Sequence, residues 1–374
     1  MKSDDSRPDS SDESVEESET AEEEPSMSFS DLIAPDRWRS FKDHLVNVGD
    51  ELDADLARLG EEESRLQSVL RPKLETEFGV RTVAESDLIA AKEKLYASSV
   101  SAVDGTNSIF PMRGGLRVRI GVAAITYANS RTEHVFYVSE QQVRAPEANP
   151  FQLLMERKAD GATLSSMVVR CLMAYKERQI ALERPEAWKL INGSVFPQEL
   201  RTGLGRLRAL EPCLDLAERV LKSESFVGVI GSSSHNDLLT LASALRPLEY
   251  ARLWTLKTDL DAWLATAHFN PTDHARFKQF IDANGDRAAV GIYRAGSRAY
   301  VFQAPTDRFD EAAAIVMADS LHQPIRAYPL LIDYADAVCT RMLAARDFQR
   351  QVAYRLARSG SLVTEMDERS LRRR

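Results

Sequence analysis

The segment SSVSAVDGT, residues 98–106, joins an alternating apolar run to a carboxylate at the point where the run ends. The alternation predicts a strand over Ser98–Asp104. A strand end holds a side chain at a fixed place, and Gly105 lets the backbone approach a metal ion or a phosphate without a Cβ atom in the way. Asp-Gly is also a common hairpin turn, so a purely structural role stays open for this segment taken alone.

The elements predicted after this segment follow the order of one type of sheet. They are, in chain order, strands over Arg117–Ala128 and His134–Ser139, a helical region from Asn149 to about Glu183, a strand over Trp188–Ile191, a helix over Pro212–Lys222 and a strand over Phe226–Ile230. Three strands ahead of the first helix predict an α/β fold with an RNase H-like mixed sheet flanked by helices. Later elements are predicted as strands over Ala288–Tyr293 and Arg298–Phe302 and helices over Phe309–Leu321 and Leu330–Arg358.

The composition predicts a large folded body with charged ends. The chain has 374 residues, of which 44% are hydrophobic, so it can bury a sizeable core. Residues 1–24 carry eleven acidic and two basic side chains, whereas the rest of the chain carries 46 of each. We expect residues 1–27 to be a disordered acidic tail. The leucine spacing over residues 28–95 predicts a helical arm that Pro72 interrupts, and residues 359–374 are predicted to be a basic C-terminal tail.

Cysteine spacing and hydropathy argue against several classes of protein. Cys171, Cys213 and Cys339 are far apart and form no CxxC pair, which argues against a disulfide framework and against a zinc site. No signal peptide opens the chain, and no apolar run approaches the ~20 residues that span a membrane. We therefore expect a cytoplasmic protein with no membrane contact. Its neutral body can still carry a local basic groove for nucleic acid.

Two polar residues are expected to meet at one edge of the predicted sheet. The first and fourth strands of an RNase H-like sheet are parallel neighbours, so Asp104 and Asn192 would emerge side by side. A nuclease that uses two Mg²⁺ or Mn²⁺ ions ~4 Å apart needs several oxygen ligands at such a point. One aspartate is insufficient, so further acidic residues must come from elsewhere in the chain.

A glutamate from the first crossover helix usually completes the ligand set in this architecture, and Glu156 and Glu177 are the candidates. A helical wheel puts Glu177 nearly opposite the apolar stripe of the helix and Glu156 nearer the edge of that stripe. The position of Glu156 near the start of the helix also favours it. The long separation between Glu156 and Asn192 favours Glu177 instead. We expect Glu156 to be the metal ligand, with Glu177 as the alternative.

A last candidate group lies near the C-terminus. Tyr328-Pro329 precedes a predicted helix that carries Asp333 and Asp336 on one face. Acidic residues at the start of a helix are also explained by its dipole, so a structural role is the alternative. The functional interpretation puts Asp336 and the Tyr328 hydroxyl in a metal site or next to it.

These motifs, in this succession, resemble the NurA family of DNA-end-processing nucleases. The matching pieces are Ala102-Val103-Asp104-Gly105, Asn192-Gly193-Ser194, Phe226–Ile230 with Ser232–Ser234, and Tyr328-Pro329 with Leu331, Ala335 and Asp336. The resemblance implies a nuclease domain over residues 96–358, a homodimer, and Mn²⁺-dependent (or Mg²⁺-dependent) 5'-3' exonuclease and endonuclease activity on DNA. It also implies end resection in double-strand-break repair with a HerA-like hexameric translocase.

The chain departs from the family pattern at two positions. Asn192 stands where an aspartate is usual, and Gly231 stands where a lysine is frequent. An asparagine offers a carbonyl oxygen to a metal ion but no charge, so a second cation would be held less tightly. Two hypotheses follow. The chain is either an active metal-dependent nuclease using Asp104, Glu156 or Glu177, Asn192, Tyr328 and Asp336, or a degenerate nuclease fold that binds DNA or a translocase without cutting.

Overall fold

The computed structural model describes residues 28–35, 38, 41–112, 115–143, 164–204, 207–231 and 236–359. The chain divides into two compact units, Met1–Glu62 and Glu63–Arg374. The described part of the smaller unit is helical, with α1 (Phe29–Leu32) and the first part of the long helix α2 (Phe41–Phe78). The domain boundaries predicted after residues 27, 95 and 358 stay predictions, and residues 1–27 and 360–374 lie outside the described part of the chain.

The larger unit combines a sheet with helices on both of its faces. Its described strands are β1 (Arg81–Thr82), β2 (Val100–Met112), β3 (Gly115–Ile125), β4 (Arg131–Ser139), β5 (Trp188–Asn192), β6 (Phe226–Ile230), β7 (Glu249–Thr255), β8 (Ala288–Arg294) and β9 (Ala299–Pro305). Its described helices, after the end of α2, are α3 (Glu85–Tyr96), α4 (Glu140–Val143), α5 (Ser166–Glu183), α6 (Gln198–Arg201), α7 (Leu210–Lys222), α8 (Asn236–Ala242), α9 (Leu256–Thr266), α10 (Pro271–Asn284), α11 (Phe309–Ser320), α12 (Leu330–Leu343) and α13 (Ala345–Arg358). Two 3₁₀ turns, Gly285–Arg287 and Thr306–Arg308, complete the described elements.

The strands form one mixed sheet in the order β1-β7-β8-β9-β6-β5-β2-β3-β4. β5 pairs in parallel with β2 and with β6, and the other neighbouring pairs are antiparallel. The five strands predicted first therefore lie in the spatial order 3-2-1-4-5, with β2 as the first of them. The predicted RNase H-like mixed sheet flanked by helices is confirmed.

Each face of the sheet has its own apolar core. On one face, α3, α11 and α12 pack around large side chains such as Trp188 and Phe302. On the other face, α5, α7, α9 and α10 pack around an aromatic group that includes Phe196 and Phe277. Adjacent residues of β2 alternate between the two cores, as Ala102 and Val103 show for this strand. The residues that follow them on β2 therefore point alternately toward the helices on the two faces of the sheet.

β4 forms one margin of the sheet. It pairs with β3 on its inner side, and among the described residues no strand pairs with its outer side. Its side chains from Val135 to Tyr137 are about half exposed, at 46% for Val135 and 54% for Phe136. The strand thus carries apolar side chains at the boundary of the fold rather than in its core.

The helical arm differs from its prediction at Pro72, because α2 continues through this proline to Phe78. A proline inside a helix removes one hydrogen bond and costs ~3 kcal/mol or more. Contacts near Pro72 offset this cost: Leu74 is fully buried, and the Arg71 guanidinium forms an ion pair with Glu249. The arm also contains the short strand β1, which pairs with β7.

Three further differences concern element boundaries. β7, which contains Trp254, was not predicted. The predicted helix over Leu330–Arg358 is broken at Ala344, whose φ of 41° lies in the left-handed region and separates α12 from α13. The strand predicted over Ser98–Asp104 does not end at Asp104: β2 continues to Met112, because its pairing with β3 extends that far. The first part of the helical region predicted from Asn149 lies outside the described residues, and α5 begins at Ser166. No helix among the described residues has the length and apolar character to cross a membrane.

Candidate active site

The parallel pairing of β2 and β5 brings Asp104 and Asn192 together at one edge of the sheet. Val103 pairs with Ile191 at the end of the ladder, so Asp104 and Asn192 are the next residues on neighbouring strands. The pairing of Asn192 with Val229 of β6 fixes its height in the sheet. The two residues, 88 positions apart in sequence, therefore sit side by side.

The loop after Asn192 is held close to β6 by glycine. A Cβ atom on Gly228 would come within 2.5 Å of the Gly193 carbonyl oxygen, so only glycine allows this approach. Gly193 has a φ of 86°, in the region that favours glycine. The Ser194 hydroxyl donates a 2.8 Å hydrogen bond to Oε1 of the buried Gln303, which also accepts from the Val195 amide. The backbone of this loop is thereby fixed next to the strand end.

A cleft of about 580 Å³ opens at this edge of the sheet. Asp104, Asn192, Asp333 and Asp336 line it. Arg294, Arg298 and Arg326 line it as well. A cleft with both acidic and basic side chains is suited to a ligand with phosphate groups, because cations bound by the acids and guanidinium groups both attract phosphate oxygens.

Asp104 is buried and carries a perturbed carboxyl group. Its side chain is 5% exposed and accepts a 2.8 Å hydrogen bond from the Gly105 amide. Burial, together with the charges of Glu177 and Asp336, raises the pKa of Asp104 to about 8, against the lowering effect of the Gly105 amide and the Asn192 side chain. A buried carboxyl surrounded by other carboxylates is typical of a functional site that lacks its counter-charge.

Asn192 is placed between Tyr328 and Asp104. The Tyr328 hydroxyl donates a 2.9 Å hydrogen bond to Asn192 Oδ1, and its pKa is raised by burial. The Asn192 side chain lowers the pKa of Asp104 and thereby favours the ionised carboxylate. A carbonyl oxygen has two lone pairs, so Asn192 Oδ1 keeps one for a further partner.

Glu177 lies next to Asp104, on the other side of the β2 backbone. A Cβ atom on Gly105 would come within 2.5 Å of Glu177 Oε1, so the glycine makes room for this carboxylate. Glu177 is buried, burial raises its pKa, and Arg178 donates a 2.6 Å hydrogen bond to it. The helical wheel that put Glu177 on the solvent side of α5 was wrong. Glu156 lies outside the described residues, so its role as a ligand stays a prediction.

The two aspartates of α12 have different surroundings. Asp333 accepts hydrogen bonds from Gln323 Nε2 at 2.8 Å and from the Arg326 guanidinium at 2.6 Å. Asp336 is exposed on the cleft, and its charge acts on Asp104. Asp333 is therefore engaged in holding the end of the preceding loop, whereas Asp336 faces the cleft with its carboxylate.

These residues fit one divalent cation better than two. Within the described ranges, no three His, Cys, Asp or Glu side chains converge closely enough to hold a metal ion. The donor set at the cleft is Asp104, Asp336 and the Asn192 carbonyl oxygen, which are hard oxygen ligands of the kind that Mn²⁺ and Mg²⁺ accept. Two carboxylates and one amide supply less charge than a pair of dications requires.

No sequence motif pointed to the arginines of the cleft or to one buried acid. Arg294 and Arg298 flank a hairpin turn and Arg326 lies in a loop, and only the order of β8 and β9 in the sheet brings them to the cleft. Asp319 of α11 is fully buried, where it accepts from the Leu331 amide at 3.0 Å and from the Tyr127 hydroxyl. It caps the start of α12 from another helix, which local capping rules do not reveal.

No protein-family model and no curated protein matches the sequence. Among solved structures, the NurA nuclease of Sulfolobus solfataricus is similar, with 11% identity, a TM-score of 0.50, and coverage of 84% of this chain and 98% of that one. A further NurA structure is 10% identical, with a TM-score of 0.43 over 78% of this chain and 94% of that one. A NurA structure bound to dAMP and manganese is 9% identical, with a TM-score of 0.40 over 80% and 93% of the two chains. At this level of identity the likeness to the Sulfolobus protein establishes the fold alone: the chain has a NurA-like fold.

Proposed function

We propose that this chain is a divalent-metal-dependent nuclease that cuts DNA in the cleft lined by Asp104 of β2 and Asn192 at the end of β5. The observation that carries the proposal is that Asp104 and Asn192 directly follow the last pair of the parallel β2–β5 ladder, with Asp336 lining the same cleft. Hard oxygen ligands opposite arginines suit a phosphodiester and a cation together. The NurA-like fold supports this reading.

Each residue has a distinct task in this proposal. Asp104, Asp336 and the Asn192 carbonyl hold Mn²⁺ or Mg²⁺, with Glu156 as the further predicted ligand. The bound cation supplies Lewis-acid activation of the phosphodiester and of the attacking water. Tyr328 orients the Asn192 amide through its 2.9 Å hydrogen bond. Glu177 adds negative potential beside Asp104, tempered by its ion pair with Arg178.

The biological setting is proposed from the resemblance described above. We propose that the protein is cytoplasmic and acts as a homodimer. We further propose 5'-3' exonuclease and endonuclease activity in DNA end resection and double-strand-break repair, with a HerA-like hexameric translocase as partner. The fold supports a nuclease of this general kind, and the partner and pathway await direct tests.

The test is degradation of end-labelled linear DNA by the purified protein with Mn²⁺ or Mg²⁺. We expect cleavage by the natural chain, loss of cleavage by at least about a hundredfold in Asp104→Ala, and unchanged cleavage in Asp215→Ala. Asp215 is a suitable control because it is an exposed carboxylate of α7 outside the cleft. Equal cleavage by the natural chain and Asp104→Ala would show a contaminating nuclease and contradict the proposal.

A second candidate function is binding of DNA or of the translocase without cleavage. Three observations favour it: Asn192 is neutral, the Glu177 carboxylate is engaged by Arg178, and no group of three metal-ligating side chains converges among the described residues. Absence of cleavage with either cation, also after addition of a translocase, together with retained DNA binding, would favour this reading.

Asn192→Asp distinguishes the two candidates. The added carboxylate supplies one more charged ligand, so we expect Mn²⁺ affinity to rise by about tenfold and cleavage to rise with it. Isothermal titration with Mn²⁺ measures the affinity, and Asp215→Asn is the control. If Asn192→Asp binds Mn²⁺ more tightly and the protein still does not cut, a missing ligand is not what prevents cleavage.

A further inference from the structure

The three arginines of the cleft differ in how their donors are used. The Arg294 guanidinium donates to the backbone carbonyls of Ser243, Leu245, Gly296 and Ser297 at 3.0 to 3.2 Å. The donors of this residue therefore hold the β8–β9 hairpin turn to the loop after α8. They are committed to backbone oxygens and are not available to a ligand.

Arg326 is also engaged, but with other partners. Its guanidinium forms a 2.6 Å ion pair with Asp333 and lies 5.3 Å from the centre of the Tyr328 ring. This arrangement neutralises Arg326 and ties it to the wall of the cleft. A phosphate that approached it would have to compete with the Asp333 carboxylate.

Arg298 is exposed in the cleft and has no ion pair within the described residues. Burial raises the pKa of the neighbouring Tyr300 hydroxyl, and the charge of Arg298 and its side-chain contact with this hydroxyl lower it. Five N–H donors of a guanidinium in a fixed fork match the oxygens of a phosphate. Apart from the contact with Tyr300, the donors of Arg298 make no hydrogen bond or ion pair within the described residues, so of the three cleft arginines it has the most donors open to a ligand.

Backbone contacts hold the β8–β9 hairpin turn, which carries Arg298, in position. The Ser297 amide donates a 3.1 Å hydrogen bond to the Pro324 carbonyl, and a Cβ atom on Gly296 would come within 2.3 Å of that same oxygen. The hairpin turn and the loop before α12 are thus in direct contact, besides the four carbonyls that Arg294 holds. A cation on a fixed support loses less entropy on binding than one on a mobile loop.

Among the described residues, the C-terminal end of β6 contributes no cation to the cleft. Gly231, which follows this strand, lines the cleft and is exposed. A side chain at this position would first meet the Tyr300 ring, at 3.3 Å from its Cβ atom. The positive charge at this part of the cleft comes from the β8–β9 hairpin instead.

We propose that Arg298 is the phosphate-positioning residue of the cleft: it binds a backbone phosphate of a nucleic-acid strand and thereby sets the register of the strand against Asp104 and Asn192. The inference rests on the proposed function, since it takes the cleft to be the substrate site. This contact with a backbone phosphate comes from a residue of the β8–β9 hairpin turn. Neither the metal ligands nor the other cleft arginines supply it. Arg298 does not take part in the chemical step.

The experiment measures binding of a short fluorescent single-stranded DNA oligonucleotide by anisotropy, with Ca²⁺ in place of Mn²⁺ and over a series of salt concentrations. We expect Arg298→Ala to weaken binding by about tenfold and to lower the salt slope by about 0.7, the value for one phosphate contact on a single strand. Arg298→Lys keeps the charge but not the fork, so its affinity falls between the two. Arg252→Ala is the control, because Arg252 is an exposed arginine of β7 outside the cleft.

The outcomes separate this inference from the proposed function. Binding and salt slope of Arg298→Ala equal to those of the natural chain overturn the inference, even if the natural chain cuts DNA. Weaker binding in Arg298→Ala but not in Arg252→Ala supports it, even if neither protein cuts, in which case only the nuclease function fails. A natural chain that does not bind the oligonucleotide overturns both. Arg298→Gln, which keeps side-chain length, replaces Arg298→Ala if thermal unfolding shows that the alanine variant is misfolded.

Discussion

The Asp104 carboxyl links cation binding to pH. Its pKa is raised to about 8 by burial and by neighbouring carboxylates, whereas in an unfolded chain the carboxyl would titrate near its ordinary pKa of 3.8. The folded state therefore holds a proton that the unfolded state has lost, and this contribution to stability is present at low pH and is lost as the pH rises from about 4 to about 8. A cation that takes the place of the proton restores the stability.

We expect Mn²⁺ affinity and cleavage at low Mn²⁺ concentration to rise between about pH 6 and pH 8, because Asp104 must lose its proton to bind the cation. At saturating Mn²⁺ the midpoint of the rise shifts to lower pH, since the cation stabilises the carboxylate. Titration calorimetry in buffers of different ionisation enthalpy measures the proton released on binding. Affinity that does not change over this range would show that Asp104 is not a ligand.

Gly105 makes room for the Glu177 carboxylate beside β2, the strand that carries Asp104. A Cβ atom there would meet Glu177 Oε1 at 2.5 Å and Met173 Cγ at 2.6 Å. We expect Gly105→Ala to lower the free energy of unfolding by about 1–3 kcal/mol and to lower activity, because Glu177 must move. Denaturant unfolding measures the first effect. Gly60→Ala is the matched control: nothing lies within 4 Å of its added Cβ atom, and alanine favours the helix. A similar loss in both variants would exclude the steric explanation.

At the scale of elements, the position of α12 depends on a helix that does not carry the site. Asp319 of α11 accepts from the Leu331 amide and from the Tyr127 hydroxyl, and it is fully buried. α12 in turn carries Asp336. The start of the helix is thus fixed by a carboxylate of the preceding helix that is not among the residues lining the cleft.

We expect Asp319→Ala to lower the free energy of unfolding by about 2–4 kcal/mol, because two buried donors lose their acceptor. Cleavage should fall as well, since Asp336 moves with α12. Tyr127→Phe is the control: it removes one of the two hydrogen bonds, leaves the cap of α12 intact and is expected to cost about 1 kcal/mol. Equal losses of activity in the two variants would contradict a specific role for the cap.

The sequence predicted elements well where apolar runs are continuous or strictly alternating. Phe226–Ile230 was predicted to the residue, because five apolar or small residues in a row bury on both faces. β7 was missed because it begins with Glu249, whose burial depends on an ion pair with Arg71, 178 residues away. Partners at such separations leave no local pattern.

The candidate site was predictable in part, for the same reason. Asp104 and Asn192 follow from strand order alone, and the structure brings them together. Glu177 was misplaced because the wheel took the largest apolar side chains of α5 as the core stripe. The helix instead buries small side chains such as Ala174 and Ala181, while Leu172 is 37% exposed. Arg298 and Asp319 reach their places through strand and helix packing that no motif encodes.

At the scale of the whole molecule, charge is distributed unevenly along the chain. The first 24 residues carry eleven acidic and two basic side chains, whereas the remainder has equal numbers of both. If the body binds DNA as proposed, a polyanionic segment linked to it competes with DNA for basic surface, and salt screens this competition. The acidic segment and the DNA would then compete for the same arginines.

We expect deletion of residues 1–27 to raise DNA affinity several-fold at low salt and to have little effect at high salt. Replacing the acidic residues of this segment by serine or glutamine keeps its length and is the control for a purely steric effect. Anisotropy titrations of both variants at two salt concentrations measure the result. Unchanged affinity after deletion would show that the tail does not reach the DNA-binding surface.

The outer side of β4 bears on how the protein associates with other protein chains. Natural proteins usually protect such an edge strand with proline, a bulge or an inward-pointing charge. Between Val135 and Val138 this strand has none of these, and the charges of Arg131 and Glu133 protect only its first half. Within the described part of the chain its outer amide and carbonyl groups have no partner strand, so they can pair with a strand of another chain. We therefore expect that self-association of this protein would begin at β4.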